Sequence, residues 1–215
     1  MYAMHQTLKG TLHLLEVYKD TGVEFINVST HSVYGRPVYA LIDEAHPRHP
    51  TTLYGALKLG QEALVDAYVE AKGFKAWTLR ASTMFGEYDR RGALVYEFLL
   101  KALSSRPFEI TGDGTQGRDL NYVGNFVDAI LLTLKRGLSG NAFNVGSGEF
   151  VSINALAEAC INLVGSRSVI EHVPARPGEE GKLVLNMGAA NVFFGYKPKV
   201  DFETGLGRML EWIRR

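Results

Sequence analysis

The chain has 215 residues, 46% of them hydrophobic, with 23 basic residues balanced by 23 acidic ones. That is enough for a sizeable core in one domain or one and a half, and a neutral chain without a Lys/Arg block argues against nucleic acid or a polybasic membrane role. No apolar run would span a bilayer, no signal-peptide pattern opens the chain, and the single Cys160 excludes an internal disulfide, so a cytoplasmic protein is the expectation.

Residues 3–20 read as a helix, with Leu8, Leu12, Leu15 and Tyr18 at three-to-four spacing and Asp20-Thr21-Gly22 as the stop. Val23 to Val28 reads as a buried parallel strand that runs into the hydroxyl cluster Ser29-Thr30-His31-Ser32, followed by Val33-Tyr34-Gly35. A loop with Pro37, Pro47, Pro50 and Asp43-Glu44 leads to Thr51 or Thr52 as helix cap. The helix then opens with Tyr54-Gly55-Ala56-Leu57-Lys58, and Leu57, Leu64, Tyr68 and Ala71 form its apolar stripe. Four-residue spacing stacks Tyr54 and Lys58 on one face. An ammonium beside a phenol is expected to lower the phenol pKa from about 10 and so allow proton transfer near neutral pH.

Lys75 to Leu79 is the next strand, followed by Arg80-Ala81-Ser82-Thr83-Met84-Phe85-Gly86 and a polar loop through Asp89-Arg90-Arg91-Gly92. Ala93 to Ser104 reads as a helix with Leu94, Phe98 and Leu99 on one side. Phe108-Glu109-Ile110 and the run to Asp119 read as a hairpin, whose Gly112-Asp113-Gly114 turn requires positive φ. Arg118 there offers a planar, permanently charged fork suited to phosphate.

Asn121 to Leu134 reads as helical, and Asn141-Ala142-Phe143-Asn144-Val145 as a strand entering a glycine-rich turn at Gly146 and Gly148. Ser152 caps a helix carrying Leu156, Ala157, Cys160 and Val164, and Val169 to Pro174 is extended. Arg176-Pro177-Gly178-Glu179, Asn186 before a short helix, and Gly195-Tyr196-Lys197-Pro198 follow. The last helix buries Phe202, Leu206, Met209, Leu210 and Ile213, with Gly205 a small cost inside it. The sequence has no internal repeat and no metal-ligand cluster, so metal is not expected.

Taken together, the Ser/Thr cluster ending in Val-Tyr-Gly, the Tyr-x-x-x-Lys pair, Gly-Asp-Gly-x-x-x-Arg-Asp, Asn-Val-Gly and Arg-Pro-Gly-Glu resemble the extended short-chain dehydrogenase/reductases. Within them the likeness is to the nucleotide-sugar epimerases and dehydratases. The resemblance implies an α/β fold: part of a Rossmann-like parallel sheet, mainly in residues 1–106, with a small α/β substrate-binding domain mainly in residues 107–215. Residues 118–150 would interleave back into the sheet. It implies NAD as cofactor and a nucleoside-diphosphate sugar as substrate. Thr30, Tyr54 and Lys58 would be catalytic, with Tyr54 and Lys58 also contacting the cofactor. Thr83, Arg118 and Arg176 would hold the substrate.

Several positions depart from the family pattern. Thr7 stands for the Asn of Asn-Val-x-Gly-Thr, Thr83 for the Asn of Leu-Arg-x-x-Asn, and Asn186 for an Asp. His31-Ser32 stands where dehydratases carry Asp-Glu, which removes the usual acid for 4,6-dehydration. Tyr122-Val123-Gly124-Asn125 lacks the acid of Val-x-Asp, and Asp128 is the nearest replacement. No Gly-x-Gly-x-x-Gly or Gly-x-x-Gly-x-x-Gly occurs, so the chain is expected to start after the third strand of the family fold. The strand at Val23 to Val28 is then expected to be an edge covered by a second copy, a complementing chain or its own N-terminus. The functional expectation is an NAD-dependent nucleotide-sugar epimerase-type enzyme or a fragment of one. The alternatives are a non-catalytic binding or partner subunit that needs another chain for cofactor, and a ketone reductase completed by such a chain.

Overall fold

The computed structural model describes residues 4–136, 140–175 and 182–215. A π-helical turn, His5–Lys9, leads into α1 (Gly10–Tyr18), so the first helix is wound more loosely at its start than its periodicity implied. β1 (Phe25–Thr30) ends in a 3-10 turn, His31–Val33, capped by the Thr30 hydroxyl on the Ser32 amide. The three-proline loop holds β2 (Leu41–Ile42) and delivers the chain to α2 (Leu53–Lys72). Thr52, not Thr51, caps α2 by accepting from the Gly55 amide at 3.0 Å.

The chain continues through β3 (Ala76–Ala81), β4 (Thr83–Phe85), α3 (Leu94–Leu103), β5 (Phe108–Thr111), β6 (Gly117–Tyr122), α4 (Val123–Arg136) and β7 (Asn141–Val145). β8 (Phe150–Ser152), α5 (Ile153–Val164), β9 (Ile170–Val173), β10 (Lys182–Leu185), α6 (Gly188–Phe194) and α7 (Phe202–Ile213) complete it. β1, β3 and β7 make a parallel sheet in that order. A second sheet runs β2-β10-β6-β4 with β8 antiparallel on β6, and β5 and β9 form a separate parallel pair.

The expected hairpin before Asp119 is therefore not one. Gly112 and Gly114 do turn the chain at φ 67° and 74°. The strands on either side then part: β5 joins β9, while β6 joins β4, β8 and β10. Phe108 and Ile110 are drawn into the core that α3, α5 and α7 build, with Leu99, Leu156, Cys160, Leu206 and Met209. In that core Gly205 is a requirement and not a minor cost, since a Cβ there would lie 2.9 Å from the Phe85 ring.

The first sheet has two unlike faces. Trp77, Leu79, Phe143 and Val145 pack on Phe126 and Ala129 of α4 and on Ala190 and Phe194 of α6. The opposite face, beneath α2, carries Asn27, Ser29, Thr78, Arg80 and Asn144, all at most 3% exposed. Alternation along each strand puts them there together, and a parallel strand is usually apolar on both sides. As expected of an edge strand, β1 pairs only with β3 among the described residues, and Val28, read as part of a buried strand, is 37% exposed. β1 is thus an edge, because its hydrogen-bonding groups on the far side meet no described strand.

Candidate active site

The site is built where β1 and β3 end and α2 begins. Thr30, the last residue of β1, is buried and pairs with Ala81 across the sheet. Gly55 lets α2 close on the 3-10 turn: a Cβ at that position would meet the Ser32 carbonyl at 2.4 Å. That approach brings the Tyr54 phenol near enough to the Thr30 hydroxyl for the hydroxyl to favour phenolate. His31 is buried, with Nδ1 3.2 Å from the Ala81 carbonyl oxygen.

One turn along α2, the Lys58 ammonium donates to the Val28 carbonyl at 2.7 Å and to Oε1 of Gln61 at 2.9 Å. Gln61 in turn donates from Nε2 to Oγ1 of Thr11 on α1 at 2.9 Å. Burial holds the Lys58 pKa below 10.5, with the Glu62 carboxylate acting the other way. The Tyr54 phenol lies above 10.0, because burial disfavours phenolate, and the Thr30 hydroxyl pulls it part of the way back. The expected lowering of the phenol by Lys58 is not what the geometry gives: the ammonium is turned toward Val28 and Gln61.

Beneath this pair lies a charged cluster that the apolar stripe of α2 conceals. Glu62, 1% exposed, accepts from Arg80 through Nε at 3.0 Å and Nη2 at 2.8 Å, from Ser29 at 2.5 Å and from Arg48 at 3.3 Å. Arg80 also donates to the Tyr34 hydroxyl at 2.9 Å, which donates to Asn144 at 2.7 Å. The residues of α2 that lie deepest are Gly55, Glu62 and Val65, whereas Ala71, expected to face a core or a partner, is exposed in the single chain. Glu62 falls four residues after Lys58 on the same face, and that spacing was its available signal.

Of the expected substrate residues, Thr83 lies on β4, opposite Leu120 of β6, two residues beyond the partner of Thr30. Arg118 lies on β6 between β10 and β8, half-buried, and among the described residues no ion pair holds its guanidinium. The neighbouring Asp119, fully buried, accepts from the amides of Ser147, Gly148 and Leu185 and so ties the glycine-rich turn to β10. Arg176 lies outside the described residues. Thr7 falls within the π-helical turn. Asp128 pairs with Lys199 at 2.8 Å, and the Asn186 side chain accepts from the Gly188 amide at the start of α6.

The nicotinamide end of a dinucleotide fits these residues. Leu53 and Tyr54 are 74% and 55% exposed beside Lys58, whose contacts with Val28 and Gln61 take two of its three ammonium hydrogens, so a third could meet a ribose hydroxyl. Among the described residues no glycine-rich strand-turn-helix is present to hold a pyrophosphate.

Residues 1–146 match the model of the NAD dependent epimerase/dehydratase family. The chain is 30% identical to the dTDP-D-glucose 4,6-dehydratase of Mus musculus, over 96% of the chain and 60% of that protein. It is also 30% identical to a putative UDP-glucose 4-epimerase of Methanocaldococcus jannaschii, over 95% of the chain and 68% of that protein. Among solved structures, the UDP-glucose 4-epimerase of Thermotoga maritima with UDP-glucose superposes with a TM-score of 0.92 at 29% identity, covering 98% of this chain and 70% of that one. The UDP-glucuronic acid 4-epimerase of Bacillus cereus, in complex with UDP-glucuronic acid and NAD, does so at 0.89 and 27%, covering 97% and 67%. The chain therefore spans roughly 60–70% of the length of these relatives. With the family model covering most of its length and the fold shared, this chain belongs to the NAD dependent epimerase/dehydratase family.

Proposed function

We propose that the chain carries the proton-transfer and sugar-binding part of a nucleotide-sugar epimerase-type enzyme. The observation that carries this reading is the approach of Tyr54 to Thr30 at the carboxyl end of the parallel strands, with the Lys58 ammonium one turn away and held at the Val28 carbonyl. In it, Tyr54 takes the proton from a sugar hydroxyl as the carbon is oxidised and returns it on reduction. Thr30 shares the hydrogen bond to the same oxygen and fixes its direction. NAD, when bound, supplies the acceptor and donor of hydride. Lys58 keeps a positive charge beside the reacting pair and directs its free N–H toward the nicotinamide ribose. Thr83 contacts the nucleotide sugar, and Arg118 and Arg176 grip the diphosphate. A second copy or a complementing chain covers the β1 edge, and the pyrophosphate cradle comes from outside these 215 residues.

His31-Ser32 favours epimerisation over 4,6-dehydration, since the Asp-Glu pair that removes water in dehydratases is replaced. Neither residue offers a carboxyl group.

The test is turnover of a nucleoside-diphosphate hexose by the assembled protein with NAD. Tyr54→Phe, which removes only a hydroxyl, should abolish it with the fold intact, and Thr30→Val should lower the rate ~10²–10⁴-fold. Arg118→Ala should weaken nucleoside-diphosphate binding by calorimetry about 10- to 100-fold. Undiminished turnover by Tyr54→Phe would remove the assignment.

A further inference from the structure

We infer that Gln61 is a positioning residue for the Lys58 ammonium, coupling it to Thr11 so that the docking of α1 on α2 sets where that ammonium sits. The inference rests on the proposed role of Lys58, but its geometry stands independently of it.

The direction of the Gln61 amide follows from its neighbours. Lys58 has only donors, so the oxygen of Gln61 must face it, at 2.9 Å. The NH₂ group then points the other way, and meets Oγ1 of Thr11 at 2.9 Å. Thr11 is 4% exposed, so the far end of this bridge is fixed inside the α1–α2 interface. A lysine side chain is long and flexible, and a single acceptor such as the Val28 carbonyl would leave the ammonium free to pivot. Two acceptors on opposite elements, β1 and Gln61, remove that freedom. They also compensate the partial burial that favours neutral amine.

Few charged groups surround Lys58. On α2, Glu62 acts on it, and is itself engaged by Arg80 and Arg48. The Tyr54 phenol lies one turn toward the start of the helix. From β1 and α1 the contacts are the Val28 carbonyl and, through Gln61, the Thr11 hydroxyl. Glu62 lies on the same helix face as Lys58 but spends its oxygens on the two arginines and Ser29. Gln61 is thus the side-chain acceptor that Lys58 has.

The experiment reads the ammonium directly, without turnover. In the ¹⁵N-labelled chain the Lys58 Nζ resonance is assigned by its loss in Lys58→Met, then followed against pH and for hydrogen exchange with water. Gln61→Leu should lower the titration midpoint and speed exchange. Thr11→Val should move both the same way by less. Gln61→Glu, which keeps an acceptor, should restore slow exchange and a midpoint at or above that of the parent chain. A folded Gln61→Leu with midpoint and exchange unchanged overturns the inference. If Gln61→Leu does not fold, Thr11→Val decides by the same criterion. Failure of Tyr54→Phe to affect turnover would sink the proposed chemistry and leave these shifts untouched, so the two are separable.

Discussion

Arg80 of β3 and Glu62 of α2 form a forked ion pair, Nη2 to Oε2 at 2.8 Å and Nε to Oε1 at 3.0 Å, with both side chains at most 4% exposed. It sits directly under the turn of α2 that presents Lys58. Removing one partner leaves the other charged and buried, which costs about 3–5 kcal/mol. Glu62→Leu and Arg80→Met should each lower unfolding free energy by that order in denaturant titrations. The double substitution should cost far less than the sum, since no orphaned charge remains. Additive losses would show that the two act independently.

Gly55→Ala should damage the site from a distance. The added methyl, fixed to the helix backbone, would meet the Ser32 backbone carbonyl oxygen at 2.4 Å, so neither side yields cheaply. α2 should back away from the 3-10 turn and carry Tyr54 off Thr30. The expected result is turnover reduced at least ~10²-fold, the scale on which small misplacements act, with far-ultraviolet circular dichroism little changed. Parent-like turnover would mean that the turn relaxes without moving Tyr54.

The Tyr54 phenol should ionise above its ordinary 10.0, because burial favours the neutral form. The sign follows by linkage: a folded pKa above the unfolded one gives stability that is complete below the ordinary value and lost as pH rises through the folded value. Ultraviolet difference titration of the parent chain against Tyr54→Phe isolates this group. Thr30→Val should move it further upward, since the Thr30 hydroxyl is the contribution that lowers it. A downward movement would show that Thr30 favours the neutral phenol.

β1 and α4 together predict self-association of the chain by itself. The β1 edge meets no described strand, and α4 exposes Val127, Leu131 and Leu134 at 48%, 51% and 45%, a stripe at helical spacing. Sedimentation at tens of micromolar should show species heavier than one chain. Val28→Lys with Leu131→Lys should restore the single-chain value. A parent chain sedimenting as a monomer would show that neither surface is adhesive.

The pattern of apolar residues made the helices and most strands legible, because burial of one face leaves a period in the sequence. Tyr54 and Lys58 are legible as a spacing and Thr30 as the end of a strand, and α2 closes on the turn that follows Thr30. What the sequence did not reveal was partnership at long range. Gln61 and Thr11 are 50 residues apart, and nothing in either neighbourhood announces the other. Glu62 is hard to read in the sequence because a carboxylate interrupts an apolar stripe, and the arginine 18 residues on, with Arg48 and Ser29, makes its burial tolerable. The run to Asp119 failed as a hairpin for a related reason: its turn chemistry was read correctly, but strand pairing is chosen by partners far along the chain.

The polar layer beneath α2 has a kinetic corollary. An apolar helix-sheet contact can slip by part of a turn at modest cost, because one methyl serves nearly as well as another. Here Ser29, Arg80 and Tyr34 accept only one set of partners, in one direction. Displacing α2 by a turn, about 5.4 Å, would strand every one of them at once. The helix is therefore seated like a key, and intermediate seatings are scarcely populated. Damage to this layer should split the population into native and non-native molecules, with the native fraction fully competent, instead of weakening every molecule a little.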